Sequence, residues 1–219
     1  MLAASDLFDL TAFTHRHLFD GVTHVWEALD RLPAYLSSLQ PAVLGRVAPG
    51  AVIQGPVLIG RGAVVDPCAM IVGPAIIGEG CEIRHGAYLR GGVLIGDRCI
   101  VGHCSELKSS ILLDEANAPH FNYVGDSILG HRVNLGAGAI CANLRLDGRE
   151  VTIRDGDTRI ATGRLKLGAI LGDDVRTACN VALNPGTIAA KGTIILPARH
   201  LSRAARFRSR GGSADRTRP

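Results

Sequence analysis

The chain has 219 residues, a formal net charge of +4, 47% apolar residues, only 4% aromatic ones and 27 glycines. That length fits one domain or a domain with an appendage, and so few rings exclude an ordinary mixed core in favour of a narrow one of Val, Ile, Leu and Ala. Residues 199–219 carry seven arginines against one acid, Asp215, a local charge of +6 that leaves about −2 for the rest, so a globally basic nucleic-acid-binding domain is excluded.

No apolar run approaches the length of a membrane span, and the first 30 residues lack a basic start followed by an apolar stretch, so a cytoplasmic protein without a membrane span is expected. The six cysteines form no CxxC pair and no zinc-ligand spacing. Buried free thiols are expected of Cys81 and Cys99, which occupy the small inward position of the repeat described below.

Residues 1–45 read as a helical linker or cap segment holding Phe8, Phe13, Phe19 and the single tryptophan, Trp26. The spacing of Val22, Val25, Trp26 and Leu29 predicts a helix with Asp20 as its N-cap, ended or restarted at Pro33. Such a helix is too short to stand alone and is expected to dock on the main body or on a neighbouring subunit.

From Val47 the sequence falls into hexads opened by an aliphatic residue, among them IGEGCE, IRHGAY, LRGGVL, IGDRCI, VGHCSE and LKSSIL. Internal repeats outrank local helix or strand signals. Two apolar positions in six, separated by turn residues, describe a short strand and a corner. Three such units close a triangular coil of about 18 residues, and coils stack as parallel strands at about 4.8 Å. The pattern resembles the hexapeptide-repeat transferases, and the left hand of the expected all-β parallel β-helix over residues 46–200 comes from that resemblance. Open coil ends are sticky edges, for which the N-terminal segment and the tail at 201–219 are the candidate covers. The tail itself reads as basic and disordered. The hexads are interrupted at residues 145–167, where REVTIRDGDTRIA predicts a hairpin turning at Asp155-Gly156-Asp157.

The repeat breaks its own rule between Leu89 and Asn143. Arg90 and Lys108 are 18 residues apart, hence stacked, and two cations in one column repel unless an acid or anion intervenes. Either Glu106 and water satisfy them or they form a phosphate clamp. The frame then slips by a few residues near Gly125 and resumes at Leu129. His85 and His103 also stack; two ligands in one column fall short of a metal site, which makes corner residues the simpler reading. A gamma-carbonic-anhydrase-like metal site would need His120 to join them.

The run ELKSSILLDEANAPHFNYVGDSILGHRVNLGAGAICANL, with its HxxYxGD, VNxGAG and following Asn, resembles the acetyltransferase domain of the bifunctional UDP-N-acetylglucosamine pyrophosphorylase/glucosamine-1-phosphate acetyltransferases. NLRLDG and GRLKLGAILGDDVRT are closest to its archaeal-type members. The resemblance implies a homotrimer with active sites between subunits. It also implies N-acetylation of an amino-sugar 1-phosphate (glucosamine- or galactosamine-1-phosphate) by acetyl-CoA, without a metal. On these positions it makes His120 the base, Asn143 the neighbour of the amine and acetyl group, and Arg90 and Lys108 the phosphate contacts. Tyr123 and Asn134 become sugar contacts, and Ala137 and Cys179 cofactor contacts, with Cys179 standing where the bacterial members have serine. Where the family supplies a loop lysine, Arg149 and Glu150 stand nearby. No GxGTR-type nucleotidyltransferase loop occurs in these residues. The alternative reading is therefore a non-catalytic β-helix that assembles with a separate nucleotidyltransferase.

Overall fold

The computed structural model describes residues 3–38 and 40–197; the basic tail at 201–219 lies outside them. Its body is a stack of triangular coils whose strands form three parallel ladders. The first face runs from Ala42–Val43 through Val57–Ile59, Ala75–Ile77, Val93–Ile95, Ser110–Leu112, Ile128–Leu129 and Ile170–Leu171 to Ile188–Ala189. The second includes Ile100–His103 and Asn117–His120 and continues through bridges at Asn134 to Arg176–Thr177. The third carries Tyr88–Arg90, Glu106–Lys108, Tyr123–Gly125, Ile140–Cys141 and Ala182–Leu183. The first ladder begins at Ala42, which pairs with Leu58, so the coils start a few residues before the expected boundary at 46.

The core is what the hexads predict. One aliphatic per strand and one small residue per corner point inward, and Ile59, Ile71, Ile83, Leu89, Ile95, Leu107, Val124 and Leu171 are fully buried. Cys81, Cys99 and Cys141 are buried free thiols in this column, and burial pushes Cys141 up to about 12.

The frame slip is sharper and earlier than the sequence indicates. Ile76 pairs with Leu94, Leu94 with Ile111 and Ile111 with Ile128, separations of 18, 17 and 17 residues. One residue is thus lost at each of two successive corners, near Ser109 and near Asp126. At both, a serine fills the inward corner position and replaces a backbone partner. The Ser110 hydroxyl accepts from the Ser127 N–H at 3.1 Å and lies 2.8 Å from the Lys108 carbonyl. The Ser127 hydroxyl accepts from the Ala169 N–H at 3.0 Å and donates to the Gly125 carbonyl at 2.7 Å. Both serines are completely buried, where an unmet backbone donor is costly.

The N-terminal segment covers a side of the prism, not an open end. Outward residues of the first face are all aliphatic, and Ile76, Leu94, Ile111, Ile128, Ile170 and Ile188 pack against Phe8, Phe13, Trp26, Leu29, Leu32 and Leu36. Burying each such side chain contributes roughly 1.5–3 kcal/mol, enough to hold a segment with only one helix longer than a turn. That helix is Ala28–Ser37, preceded by a 3₁₀ turn at Val25–Glu27. Asp20 does not cap it but follows an earlier 3₁₀ turn at Arg16–Phe19, and Pro33 sits inside the helix. The anchor is Asp173, whose buried carboxylate accepts from the backbone N–H of Asp9 and of His131, both at 2.8 Å.

The excursion is a hairpin, Thr152–Asp155 against Thr158–Ala161, turning at Gly156-Asp157 as expected. Its Val151 and Ile153 join the same apolar cluster, so it is fastened to the N-terminal segment instead of projecting freely.

Two outcomes follow. Replacing Ser127 by Ala leaves the Ala169 N–H unmet and is expected to lower stability by about 1–3 kcal/mol, read by denaturant unfolding. The His15 ring, bonded to the Tyr35 hydroxyl at 2.8 Å, is held below its ordinary 6.5 by burial, against the opposing pull of Asp97 and Asp114. The unfolded chain therefore binds the extra proton, and stability falls as pH drops below about 6.5. Melting followed by Trp26 fluorescence should show this loss, reduced in His15→Leu.

Candidate active site

Parallel stacking places the expected residues by simple register. Tyr88, Glu106 and Tyr123 form one outward column of the third face, and Arg90, Lys108 and Gly125 the next. The cation column exists, and each cation has an acid: Arg90 Nη1 lies 2.7 Å from Glu106 Oε1, and Lys108 Nζ lies 3.4 Å from Asp126 Oδ2. Both acids sit beside the cations without separating them from solvent, so an incoming phosphate would exchange carboxylate contacts for its own.

Asn143 closes this edge where the excursion departs. Its Nδ2 donates to Asp126 Oδ2 at 2.6 Å. Tyr123 folds toward the same point, across Gly125: a Cβ built on that glycine would meet the Tyr123 hydroxyl at 2.6 Å and Asn143 Nδ2 at 2.7 Å. The glycine is required here by close approach. Burial, with Glu106 and Asp126 nearby, raises the Tyr123 phenol above its ordinary range, against a hydrogen bond from Asn143; Tyr123 therefore stays a neutral phenol at physiological pH.

His120 stands at the corner between the second and third faces, exposed, at the end of Asn117–His120. Buried Asn122 builds its turn. The Asn122 side chain accepts from the His120 N–H at 3.0 Å and donates to the Gly136 carbonyl at 2.8 Å. Phe121, at φ 52°, packs edge-on against His103 at 5.0 Å. The His120 carbonyl accepts from Gly138 and the Ala137 carbonyl from Asn180, both next-coil contacts that stack His120, Ala137 and Cys179 along this corner. His85 and His103 lie below in the same corner with rings stacked at 5.7 Å, as in-register corner residues do.

The expected residues do not converge within one chain. Arg90, Lys108, Tyr123 and Asn143 share the third face, and His120, Ala137 and Cys179 share its corner with the second. Asn134 is on the second face, in a groove of about 740 Å³ lined by Arg98, Glu115, Asn117, Arg132 and Arg176.

Two participants went unassigned by sequence reasoning. Asp126 lies in the quoted HxxYxGD motif, just past the frame slip. It reaches Lys108 nonetheless, because the one-residue contraction shifts the ladder and leaves its N–H on the Lys108 carbonyl at 2.9 Å. Arg164, from the hairpin's return, approaches Asp126 Oδ1 at 3.7 Å and pairs with Asp30 of the N-terminal helix. Arg149, the stand-in for the loop lysine, instead lies exposed with its N–H on Asp147. The link from Arg164 is tertiary and leaves no signal in the repeat.

Comparison with known proteins adds the family. The GMPPB C-terminal domain model matches residues 71–205. A bifunctional sugar-1-phosphate nucleotidylyltransferase/acetyltransferase of Sulfurisphaera tokodaii is 47% identical over 74 residues, 34% of this chain and 18% of that protein. The bifunctional protein GlmU of Methanococcus maripaludis strain C7 is 45% identical over 177 residues, 81% of this chain and 43% of the relative. The chain thus spans less than half the length of these relatives. A UDP-N-acetylglucosamine acyltransferase structure from Francisella novicida superposes with a TM-score of 0.42 at 15% identity, covering 71% of this chain and 60% of that one. With the family model matching more than half of its residues, the chain belongs to the GMPPB C-terminal domain family, and its coils form a parallel β-helix of hexapeptide repeats.

Proposed function

We propose that the chain is an N-acetyltransferase that moves the acetyl group of acetyl-CoA to the amine of an amino-sugar 1-phosphate, glucosamine-1-phosphate or galactosamine-1-phosphate. The observation that carries this reading is the cation edge of the third face. There Arg90 and Lys108 stand one coil apart beside Tyr123 and Asn143.

In this reading Arg90 and Lys108 take the sugar phosphate, and Tyr123 and Asn134 fix the sugar. An amine is an ammonium at neutral pH and cannot attack a thioester until it loses a proton. Exposed His120 carries an imidazole whose ring nitrogen can accept that proton. The free amine attacks the thioester carbonyl, and the tetrahedral oxyanion needs a donor. Ala137, in the same corner column, offers a backbone N–H that finds no acceptor among the described residues. Collapse expels the thiolate of coenzyme A, which takes up the proton held by His120; the imidazole then takes the remaining extra proton from the acylated nitrogen and passes it to water. The amide, the free thiol and one released proton balance the reaction of the ammonium with the thioester. Cys179, one coil above Ala137, borders the path of the cofactor.

The separation of Asn134 from the third-face residues supports a site assembled between subunits, the second face of one copy meeting the third face of another in a homotrimer. The described residues include no helix long and apolar enough to cross a membrane. A nucleotidyltransferase on a separate chain would be the natural consumer of the acetylated sugar phosphate.

Thiol release from acetyl-CoA, measured with each amino-sugar phosphate, tests the reading. His120→Ala should lower kcat by about 10²–10⁴-fold with a native melting temperature. Equal rates in the two proteins would remove His120 as base, and no turnover with any such acceptor would remove the acetyltransferase reading.

A further inference from the structure

Among the described residues, Asp126 is the one acid that touches three separate parts of the site. Its side chain is 7% exposed. Oδ2 accepts from Asn143 Nδ2 at 2.6 Å and from Lys108 Nζ at 3.4 Å, and Oδ1 faces Arg164 Nη2 at 3.7 Å. Its backbone is fixed at both ends, the N–H on the Lys108 carbonyl and its own carbonyl accepting from Gly168 at 2.8 Å. The residue adopts φ 46°, a left-handed backbone conformation.

A carboxylate offers only lone pairs, so the Asn143 amide has no choice of face. Its NH₂ must point to Asp126, because the flipped amide would set two oxygens 2.6 Å apart. The Asn143 oxygen is thereby directed away from Asp126. The Asn143 NH₂ and the Tyr123 hydroxyl converge over Gly125, lying 2.7 and 2.6 Å from where a Cβ on that glycine would stand. A phenol oxygen that accepts from Asn143 has its own proton left to give elsewhere.

We propose that Asp126 is a positioning residue that sets the hydrogen-bond polarity of the acceptor site, presenting the Asn143 oxygen as an acceptor and the Tyr123 hydroxyl as a donor. This inference rests on the acetyltransferase reading for its substrate. An acceptor oxygen suits the N–H of an amine about to be acylated, whereas a donor hydroxyl suits a sugar or phosphate oxygen. Arg164, held also by Asp30 of the N-terminal helix, keeps the carboxylate compensated while Lys108 turns to a phosphate.

Asp126→Asn keeps the shape and removes the constraint: the new amide can meet Asn143 with either face, and Asn143 is free to flip. Steady-state kinetics of the full chain with acetyl-CoA and glucosamine-1-phosphate should show kcat lowered about 10–100-fold with a smaller change in KM, and Asp126→Glu should restore part of the loss. A readout independent of turnover is the ultraviolet titration of Tyr123, taken as the difference between each protein and its Tyr123→Phe counterpart. Removing the Asp126 charge should lower the Tyr123 pKa, and Asn143→Leu, which removes the donor to the phenolate, should raise it. Unchanged kcat and an unchanged Tyr123 titration in folded Asp126→Asn would overturn the proposal. Should that variant fail to fold, an unchanged titration in Asn143→Leu would overturn it equally. Absence of turnover in the native protein would count against the acetyltransferase reading alone, since the titrations still decide the polarity.

Discussion

The parallel ladder joining Glu106–Lys108 to Tyr123–Gly125, and its equivalents on the other two faces, is the constraint from which the site follows. Each coil is hydrogen-bonded to the next over its whole length, so a residue's neighbours are those one coil away in sequence. Arg90 has no freedom to be far from Lys108, nor His120 from Ala137. A core of one aliphatic and one small residue per corner makes this rigid: every inward side chain from Ile59 to Leu171 is shut from solvent, and such interiors do not deform continuously.

Rigidity also makes a departure from the period consequential. Dropping one residue at the corner near Ser109 brings the Asp126 N–H onto the Lys108 carbonyl. The cost falls on the ladder, and Ser110 and Ser127 offset it with hydroxyls that substitute for missing backbone partners. Two serines in an aliphatic column thus belong to the same construction as the candidate-site edge they underlie. The hairpin that follows Asn143 completes it, carrying Arg164 to the buried carboxylate from outside the repeat.

Much of this was legible in the sequence for a physical reason: hexads encode inward positions directly, so Leu89, Leu107, Cys81 and Cys99 could be assigned before any coordinates. The cation column was legible too, since it needs only the 18-residue coil. The first face could have been read, because its outward residues, Ile76, Leu94, Ile111 and Ile128, are aliphatic as well as its inward ones; that second stripe foretells a covering segment. The start of the helix was misjudged because Trp26 and Val25 are buried from a 3₁₀ turn, which mimics the helical stripe. Asp126 and Arg164 were hidden because their meeting depends on a contracted corner and on a tertiary contact across a hairpin, neither of which has a local signature.

The electrostatic arrangement gives the proposed chemistry its economy. Acids already neutralise Arg90 and Lys108, so the site carries no naked charge and exchanges one set of oxygens for another as substrate enters. What a single chain lacks is the meeting of its second and third faces, where Asn134 and Tyr123 stand apart. Subunit complementation addresses that claim most directly. Asn134→Ala and Lys108→Met, each impaired alone, are unfolded together, refolded as a mixture and assayed for acetyl transfer. A site shared between copies predicts recovery of activity in the mixture, because some sites combine an intact second face with an intact third. Activity no greater than the average of the two separate variants would contradict it.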